Sequence, residues 1–328
     1  MKVLFIGGTG IISSACTQRA LDLGIDLYHL NRGESARPTP EGVKVLRADF
    51  RDVESAKQAL EDHTFDAVVD WIAFTPDHIE ADIKLFSGRT KQYVFISSAS
   101  AYHVPPLNLP ITESCPLYNP YWQYSRDKIA CEDKLTRAYR EAGFPATIVR
   151  PSHTYDRTLT PMGFQYTVIE RMRQGKKVIV HGDGTSLWTL THHKDFAVGF
   201  NGLLGNDRAI GDAYHITNEE ILTWNQIYEL MAAAAGVEAD IVHIPSAFIA
   251  AFDPEWGAGL LGDKAHCKTF DNTKIKRTVA EFNPVIPFHQ GAVEIMAYYD
   301  ADPAHQIVDS DQDAMMDRII TSYESALP

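Results

Sequence analysis

The first half of the chain alternates short apolar segments with longer segments of helical periodicity. The apolar segments predict strands at residues 3–6, 26–30, 43–46, 67–69, 93–96 and 146–149. Helical segments are predicted between them, for example at 13–23 and 53–61. Because parallel strands must be joined by long crossovers, usually helices, this rhythm predicts an α/β fold built on a doubly wound parallel sheet.

A long helix is predicted after the proline-rich segment 103–120. Asn119 is a good N-cap residue, Pro120 suits the first helical position, and Gly143 can end the helix after residue 142. The helix therefore spans roughly residues 120–142 in this interpretation.

A glycine-rich turn follows the first strand directly and opens the first helix. It reads G-G-T-G-I-I-S over residues 7–13. Gly7 and Gly10 allow the backbone to turn tightly and approach a pyrophosphate, which would bind at the helix N-terminus near Ile11 and Ile12. Ser13 replaces the usual third glycine and is small enough to keep that packing. The turn predicts a Rossmann-type dinucleotide site, although an unrelated α/β protein can carry a similar glycine turn.

The residues that follow the second and third strands bear on the choice between NAD and NADP. An NAD site usually has an acidic residue at the end of the second strand, whereas this chain has Asn31-Arg32. A guanidinium suits a 2′-phosphate, which favours NADP, but Arg32 can equally be a solvated loop residue beside bound NAD. Asp49 can accept a hydrogen bond from adenine. Helix capping, its other possible role, suits Asp52 better.

The second half of the chain has a looser pattern after Pro151. Short strands are predicted at 178–180, 214–216 and 241–243, and helices near 164–174, 196–204, 224–235 and 290–300. We therefore expect a dinucleotide-binding domain at residues 1–155 and a smaller mixed α/β substrate lobe at 156–328. Segments near 178–220 are expected to return in part to the first domain.

A tyrosine and a lysine four residues apart lie on one face of the long predicted helix. The ammonium of Lys128 about 4 Å from the hydroxyl of Tyr124 would favour the phenolate by up to roughly 4 kcal/mol before desolvation is subtracted. Such a pair can donate and accept a proton near neutral pH. A surface tyrosine beside a surface lysine gives the same spacing. The serines at 97, 98 and 100 favour the functional interpretation, because they follow the fifth strand where ligands bind in parallel sheets.

Taken in order, these motifs resemble the extended, or atypical, short-chain dehydrogenase/reductase superfamily, the NAD(P)-dependent epimerase/dehydratase group. The resemblance covers nearly the whole chain. It rests on G-G-T-G-I-I-S at 7–13, S-S-A-S-A-Y at 97–102, Y-S-R-D-K at 124–128, I-V-R-P-S-H-T-Y at 148–155, G-D-G at 182–184, H-H-K-D-F-A at 192–197 and F-D-N-T-K at 270–274.

The resemblance implies a role for each matching residue. Ser98 would polarise the substrate oxygen, Tyr124 would exchange the proton, and Lys128 would bind the nicotinamide ribose and lower the pKa of the tyrosine. Substrate contacts are expected from Ser100, Trp188 and His192. The residues expected to bind the cofactor are Gly7, Gly10, Ile11, Ile12, Asn31, Arg32, Asp49, Ala73, Lys128, Pro151 and His153.

Two departures from the family pattern argue against particular reactions and substrates of the family. The 4,6-dehydratases carry an acidic pair just after the active-site hydroxyl, where this chain has Ala99 and Ser100, so that route of water elimination lacks its acid and base. Many nucleotide-sugar members carry a diphosphate-binding arginine four residues before the equivalent of His192, and Trp188 stands there instead.

Composition limits the partners. The formal net charge is -13, and no basic run exceeds a pair of residues, which argues against nucleic acid. No apolar run is long enough to cross a membrane, and the four cysteines form no C-x-x-C pair, so we expect a cytoplasmic protein with reduced thiols. Adjacent His192 and His193 would chelate poorly, so no metal is expected. A homodimer is possible, with the helix of Tyr124 as its candidate interface.

Three functions remain open on this evidence. The first is an epimerase-like enzyme that oxidises and reduces a secondary alcohol or ketone of a sugar or nucleotide sugar. The second is an NAD(P)H-dependent carbonyl reductase or dehydrogenase of a small substrate. The third is a non-catalytic scaffold that binds the cofactor or associates with RNA, as the atypical members of the superfamily permit.

Overall fold

The computed structural model describes residues 1–326, and its centre is a seven-stranded parallel sheet in the order β11-β6-β5-β4-β1-β2-β3. The strands are β1 (Lys2–Ile6), β2 (Asp26–Asn31), β3 (Lys44–Arg47), β4 (Phe65–Asp70), β5 (Thr90–Ile96), β6 (Ala146–Pro151), β7 (His153–Tyr155), β8 (Val178–His181), β9 (Leu187–Trp188), β10 (Leu190–His192), β11 (Ala213–Ile216), β12 (Leu222–Thr223) and β13 (Ile241–Ile244). The predicted doubly wound α/β fold is confirmed.

Twelve α-helices lie within residues 1–326, some against the two faces of the sheet and others in the second half of the chain. They are α1 (Ile11–Asp22), α2 (Val53–Leu60), α3 (Pro76–Phe86), α4 (Gln123–Ala142), α5 (Tyr166–Arg173), α6 (His193–Asn201), α7 (Trp224–Ala234), α8 (Ser246–Phe252), α9 (Pro254–Gly259), α10 (Thr273–Thr278), α11 (Phe288–Ala301) and α12 (Ser310–Ser325). Alternate residues of β1 point to opposite faces: Phe5 packs in the core under α1 and α6, and Leu4 packs in the core under α2, α3 and α4.

The long helix α4 begins later than the sequence predicts. Asn119 does not cap it: its Oδ1 accepts hydrogen bonds from the N–H groups of Tyr121 and Trp122, which closes a turn before the helix. The helix starts at Gln123 as a result. Its predicted end is correct, because Gly143 adopts the left-handed conformation (φ 66°) that ends a helix.

The second half of the chain builds its own core and also contributes to the main sheet. Strand β11 pairs with β6 in the main sheet, whereas β8 pairs with β13 outside it. Helices α5, α7, α11 and α12 enclose a separate apolar core. The domain division at residue 155 stays a prediction. The acidic stretch from Asp309 caps α12, since its carboxylate accepts from the N–H groups of Asp311 and Gln312.

A π-helical turn at Leu260–Lys264 extends α9. Gly262 lies against the segment before α4. A Cβ added to it would lie 2.9 Å from Asn119 Oδ1 and 2.9 Å from Trp122 Cβ. Turns of this type are rare and are frequent at functional sites. No helix within residues 1–326 is both long and apolar enough to cross a membrane.

Candidate active site

The glycine turn has a backbone that only glycine tolerates. Gly7 has a φ of 95° and Gly8 a φ of 106°. A Cβ added to Gly8 would lie 2.5 Å from the ring of His29, which is buried under the turn. The turn is therefore held close to the sheet and exposes main-chain N–H groups at the start of α1. This fits the pyrophosphate of a dinucleotide.

Ser13 accounts for the absence of the third glycine. It is buried, and its Oγ accepts a hydrogen bond of 2.7 Å from the N–H of Gly10. The serine thus closes the first turn of α1 while the N–H groups of Ile11 and Ile12 begin the helix. Thr17 supports the turn from beneath, where its hydroxyl donates to the carbonyl of Gly8 at 3.0 Å.

The loops after β2 and β3 bear the residues predicted to contact the adenosine half. Asn31 Oδ1 accepts from the N–H of Gly33, and Arg32 is exposed and pairs with Glu34 at 3.2 Å. The exposed Asp49 accepts from the N–H of Arg51 at 2.9 Å. Helix α2 is capped by Asp52 and not by Asp49, as predicted.

Arg37 is a residue of this region that the sequence reasoning missed. Its Nη1 lies 2.6 Å from Asp156 Oδ2 and donates to Ser14 Oγ in the first turn of α1 at 3.2 Å. It also bonds to Thr158. The contact joins the loop after β2 to the segment after β7, and only the topology brings these distant segments together.

A chain of hydroxyl groups lies at the carboxyl end of β5. Ser125 on α4 donates to Ser100 Oγ at 2.8 Å, and Ser100 Oγ is 2.9 Å from Ser98 Oγ. Ser98 also caps a short 3₁₀ turn at Ala99–Ala101, since its Oγ accepts from the N–H of Ser100. The turn fixes Ser98, and either hydroxyl of the Ser98–Ser100 pair can be the donor; with Ser100 as donor, the Ser98 proton is available to a bound oxygen.

Tyr124 lies in the first turn of α4 and is half-buried, with its ring centroid 4.9 Å from that of Trp122. Burial raises the pKa of Tyr124, and a hydrogen bond with Ser98 opposes that rise. The phenol is therefore protonated at neutral pH in the cofactor-free protein. The lowering of the Tyr124 pKa by Lys128 stays a prediction for the protein with bound cofactor.

Lys128 is buried one turn further along α4. Its ammonium donates to the carbonyls of Ala73 at 2.7 Å and Ile96 at 2.8 Å, and lies 5.7 Å from the centroid of the Tyr124 ring. Burial lowers the pKa of Lys128 to about 8. The lysine thus ties α4 to the segments that follow β4 and β5. The predicted cofactor-contact residue Ala73 takes part through its main-chain oxygen.

A cavity of about 300 Å³ opens at the carboxyl ends of β5 and β6, in front of these groups. The structure brings together Ser98, Tyr124 and Trp188 on its wall. The wall is completed by Ala99, Ser100, Trp122, Pro151, Ser152, His153, Thr154, Thr189, Asp263, Lys264, Lys268 and Phe270.

His153 and Trp188 form one hydrogen-bonded unit in this wall. The indole Nε1 of Trp188 donates to His153 Nδ1 at 3.0 Å. Burial lowers the pKa of His153 to about 3, so the imidazole is neutral at neutral pH and accepts through Nδ1. At the position where the resemblance implies a diphosphate-binding arginine, this chain places the indole of Trp188.

The structure does not bring His192 to the cavity. His192 is fully buried at the N-terminus of α6, where its Nδ1 accepts from the N–H of Lys194 and its Nε2 lies 3.1 Å from Glu294 Oε2 on α11. The predicted substrate contact is thus replaced by a structural one between two helices. Within the described part of the chain, no group of three or more His, Cys, Asp or Glu side chains is arranged to hold a metal.

Three further wall residues escaped the sequence reasoning. Asp263, Lys264 and Lys268 come from the π-helical turn and the segment after it. Lys268 is buried, pairs with Asp263 and donates to the carbonyl of Ala99 at 3.3 Å. The sequence there has no periodic pattern that predicts a turn facing the cavity, so only the structure identifies them.

Comparison with known proteins agrees with this geometry. The model of the NAD dependent epimerase/dehydratase family matches residues 3–217. The 2'-dehydrokanamycin reductase of Streptomyces kanamyceticus is 26% identical over 272 residues, which cover 80% of this chain and 72% of that protein. The chloroplast stem-loop binding protein of 41 kDa b of Arabidopsis thaliana is 25% identical over 259 residues, covering 74% and 65%.

Solved structures share the fold. The UDP-glucose 4-epimerase of Bifidobacterium longum, in complex with NAD+ and UDP, superimposes with a TM-score of 0.75 at 18% identity, over 94% of this chain and 100% of that one. The family model spans well over half of the chain, and the matched region contains the glycine turn, Ser98, Tyr124 and Lys128. The chain therefore belongs to the NAD dependent epimerase/dehydratase family.

Proposed function

We propose that this protein is an NAD(P)-dependent enzyme that interconverts a secondary alcohol and a ketone on a sugar-like substrate, using Ser98, Tyr124 and Lys128. The observation that carries the proposal is the shared cavity wall of Ser98 and Tyr124 at the carboxyl edge of the sheet. The glycine turn after β1 opens at the same edge, because all seven strands are parallel. Ligands of such sheets bind at that edge.

The residues that would hold the cofactor lie at or after the carboxyl ends of β1, β2, β3, β4 and β6, with Lys128 on α4. Main-chain groups of Gly7, Gly10, Ile11 and Ile12 would hold the pyrophosphate, and Asn31, Arg32 and Asp49 would face the adenosine. Ala73, Lys128, Pro151 and His153 would face the nicotinamide side. When bound, the nicotinamide would give or take a hydride at the carbon that changes oxidation state. The exposed Arg32 favours a 2′-phosphate, and therefore NADP.

Ser98, Tyr124 and Lys128 would have different roles in the proton transfer. Ser98 donates a hydrogen bond to the reacting oxygen and stabilises its developing charge. Tyr124 gives the proton to that oxygen during reduction and removes it during oxidation. The ammonium of Lys128 would favour the phenolate, and it is available for the ribose hydroxyls if the bound cofactor draws it from its carbonyl partners.

The free protein is in the protonation state from which reduction of a carbonyl starts. Because burial raises the pKa of Tyr124, the phenol holds the proton that a ketone must receive. The similar protein from Streptomyces kanamyceticus is named a reductase, which supports this direction. We therefore keep an NAD(P)H-dependent reductase beside an epimerase as the two forms of the proposal.

An epimerase would use the same residues in both directions within one catalytic cycle. The cavity would then have to let the ketone rotate before it is reduced on its other face. The fold shared with UDP-glucose 4-epimerase is compatible with this cycle. Steady-state absorbance at 340 nm separates the two forms, because a reductase consumes NAD(P)H in proportion to product and an epimerase shows no net change.

A non-catalytic or RNA-associated role is the other class that a relative suggests, through the chloroplast stem-loop binding protein. The net charge of -13 opposes binding to a phosphate backbone. The hydrogen-bonded alignment of Ser125, Ser100 and Ser98 beside Tyr124 favours catalysis instead. We also propose a homodimer through α4, the helix that carries Tyr124.

The test of the proposal is the exchange of Tyr124 for phenylalanine. Tyr124→Phe removes one hydroxyl and should lower kcat by at least about a hundredfold, the usual contribution of a general acid or base, with little change in cofactor affinity. Tyr139→Phe on the exposed part of the same helix is the matched control and should keep wild-type activity. Undiminished activity in Tyr124→Phe would refute the proposed mechanism.

A further inference from the structure

Lys264 stands out in the cavity wall because its ammonium has no partner. It is half-buried and lines both the 300 Å³ cavity and a second, more apolar cavity of about 440 Å³ beside it. Within residues 1–326, no carboxylate lies within 4 Å of its Nζ and no hydrogen bond from that atom is formed. Its Nζ lies over the aromatic ring of Trp122, 5.5 Å from the ring centroid.

The neighbouring acid does not neutralise Lys264. Asp263 pairs with Lys268, so this end of the cavity carries two ammonium groups and one carboxylate. Of the acids around the second cavity, Asp253 caps α9 through the N–H groups of Glu255 and Trp256, and Glu255 itself is exposed. Burial lowers the pKa of Lys264; Asp263 opposes this shift and Lys268 adds to it. An anion bound here would offset that cost.

The fold positions this lysine precisely relative to the proposed reactive groups. Gly262 holds the π-helical turn against the start of α4, where Asn119 Nδ2 donates to the Gly262 carbonyl at 2.7 Å. Trp122 neighbours both residues: its ring centroid is 5.5 Å from Lys264 Nζ and 4.9 Å from the Tyr124 ring centroid. Lys264 and Tyr124 thus line the same cavity, on parts of its wall next to Trp122.

We infer that the substrate is a monosaccharide-sized polyhydroxy compound with one anionic group, a carboxylate or a phosphate, which binds Lys264. The inference rests on the proposed function and specifies its substrate class. A cavity of about 300 Å³ is at the small end of the range for ligand sites. Hydroxyls of Ser152, Thr154 and Thr189 on its wall suit a polyol, and Trp188 occupies the place where a diphosphate-binding arginine is expected.

The test measures binding, so it does not depend on turnover. Protein saturated with NADP+ or NAD+ is titrated calorimetrically with glucose and galactose, with the corresponding uronates, and with their 6-phosphates. The wild type should bind at least one anionic series about tenfold or more tightly than the neutral sugars, as a charge-assisted hydrogen bond predicts. The uronate and phosphate arms identify which anion is preferred.

Lys264→Met should abolish the preference for the anion, and Lys264→Arg should keep most of it. Lys276→Met is the matched control, because Lys276 pairs with Glu219 away from this cavity. Thermal melts establish that each variant is folded. Equal binding of neutral and anionic sugars, no binding of any anionic member, or a preference that survives in Lys264→Met would overturn the inference.

This test and that of the proposed function fail separately. Anion binding that depends on Lys264, together with full activity in Tyr124→Phe, would support the inference and refute the proposed mechanism. Loss of activity in Tyr124→Phe, with binding indifferent to Lys264, would do the reverse.

Discussion

At the scale of single residues, the dinucleotide crevice depends on one close contact beneath the glycine turn. The His29 ring lies against Gly8, and Thr17 links the two, because its hydroxyl donates to the Gly8 carbonyl and lies 3.0 Å from His29 Nε2. This arrangement assigns the imidazole proton to Nε2. Any side chain at position 8 must displace the ring or the turn.

Gly8→Ala should therefore impair cofactor binding. The new Cβ would be placed 2.5 Å from the His29 ring on a backbone with φ of 106°, so we expect at least about tenfold weaker binding of NAD(P)H and a loss of roughly 1–3 kcal/mol of stability. Fluorescence titration of NAD(P)H and urea unfolding measure the two effects. Gly24→Ala, which has φ of 70° and nothing within 4 Å, should show the backbone strain alone and bind cofactor normally.

His29 should also make the free energy of unfolding depend on pH. Burial lowers the pKa of His29 from 6.5 to about 4, so between these values the unfolded chain binds the proton and the folded protein does not. Its contribution to stability is present above pH 6.5 and falls as the pH drops towards 4.

The variant His29→Gln keeps a donor for Thr17 but cannot titrate. The difference in unfolding free energy between wild type and His29→Gln should shrink by about 1.4 kcal/mol between pH 7.5 and pH 5.5. Urea titrations at the two pH values measure it. A difference that stays constant or widens on acidification would contradict the neutral, buried state of His29.

Single residues are also where the sequence was most and least informative. The spacing of Tyr124 and Lys128 and the serines after β5 predicted which side chains meet, since helical periodicity and parallel topology determine those positions. The pKa of Tyr124 could not be predicted, because desolvation depends on Trp122 and on the second lobe. Lys264 lay in no motif, and its position depends on a π-helical turn.

At the scale of elements, one buried asparagine connects three pieces of the site. Asn119 Nδ2 donates to the carbonyls of Ser100 and Gly262, and its Oδ1 accepts from the turn before α4. One side chain therefore holds together the loop after β5 that carries Ser98 and Ser100, the π-helical turn and the start of α4. This is also why α4 begins later than the sequence pattern indicates.

Asn119→Ala should destabilise the protein by about 2–4 kcal/mol, because it leaves two buried carbonyls without donors. It should also raise KM more than it lowers kcat, since Lys264 on the released turn would be less well positioned than Tyr124 within its helix. Urea unfolding and steady-state kinetics test the two effects. As a control, Asn206→Ala removes a single capping hydrogen bond near the surface and should cost no more than about 1 kcal/mol.

The strands of the main sheet were predicted correctly, whereas a helix that buries a charged residue was missed. The apolar runs placed β1, β4 and β5 within three residues of their observed limits. Helix α3 was missed because its buried face includes Asp82 among Ile79, Leu85 and Phe86, which interrupts the apolar stripe. Tyr93 donates to that carboxyl group, a tertiary contact that local sequence does not reveal.

At the scale of the whole molecule, the ion pair of Arg37 and Asp156 joins two segments that are far apart in the chain. Asp156 is almost fully buried, and Arg37 holds its pKa below the usual range in spite of that burial. The pair links the loop after β2 to the segment that follows β7. Parallel topology could be predicted from the strand rhythm, whereas a contact between residues this far apart in the chain could not.

Arg37→Ala should leave the Asp156 carboxylate buried without its cation and cost roughly 1–3 kcal/mol, less than a fully buried pair because Arg37 is partly exposed. Adding Asp156→Asn should recover much of the loss, since the charge is removed while Thr158 can still donate to the side chain. Arg173→Ala, which breaks a more exposed pair with Asp300, is the control for a surface ion pair. A double variant no more stable than Arg37→Ala would contradict this role.

The account as a whole depends on Tyr124 acting beside a bound nicotinamide, and single-turnover absorbance at 340 nm tests this most directly. Enzyme loaded with NAD(P)+ is mixed with an excess of a sugar that binds and carries the secondary alcohol to be oxidised. The signal reports bound NAD(P)H whether the product leaves or is reduced again, so it covers a reductase and an epimerase alike. We predict a rapid rise with the wild type and Tyr139→Phe, and a rise at least about a hundredfold slower with Tyr124→Phe. Equal rates in all three proteins would contradict the account.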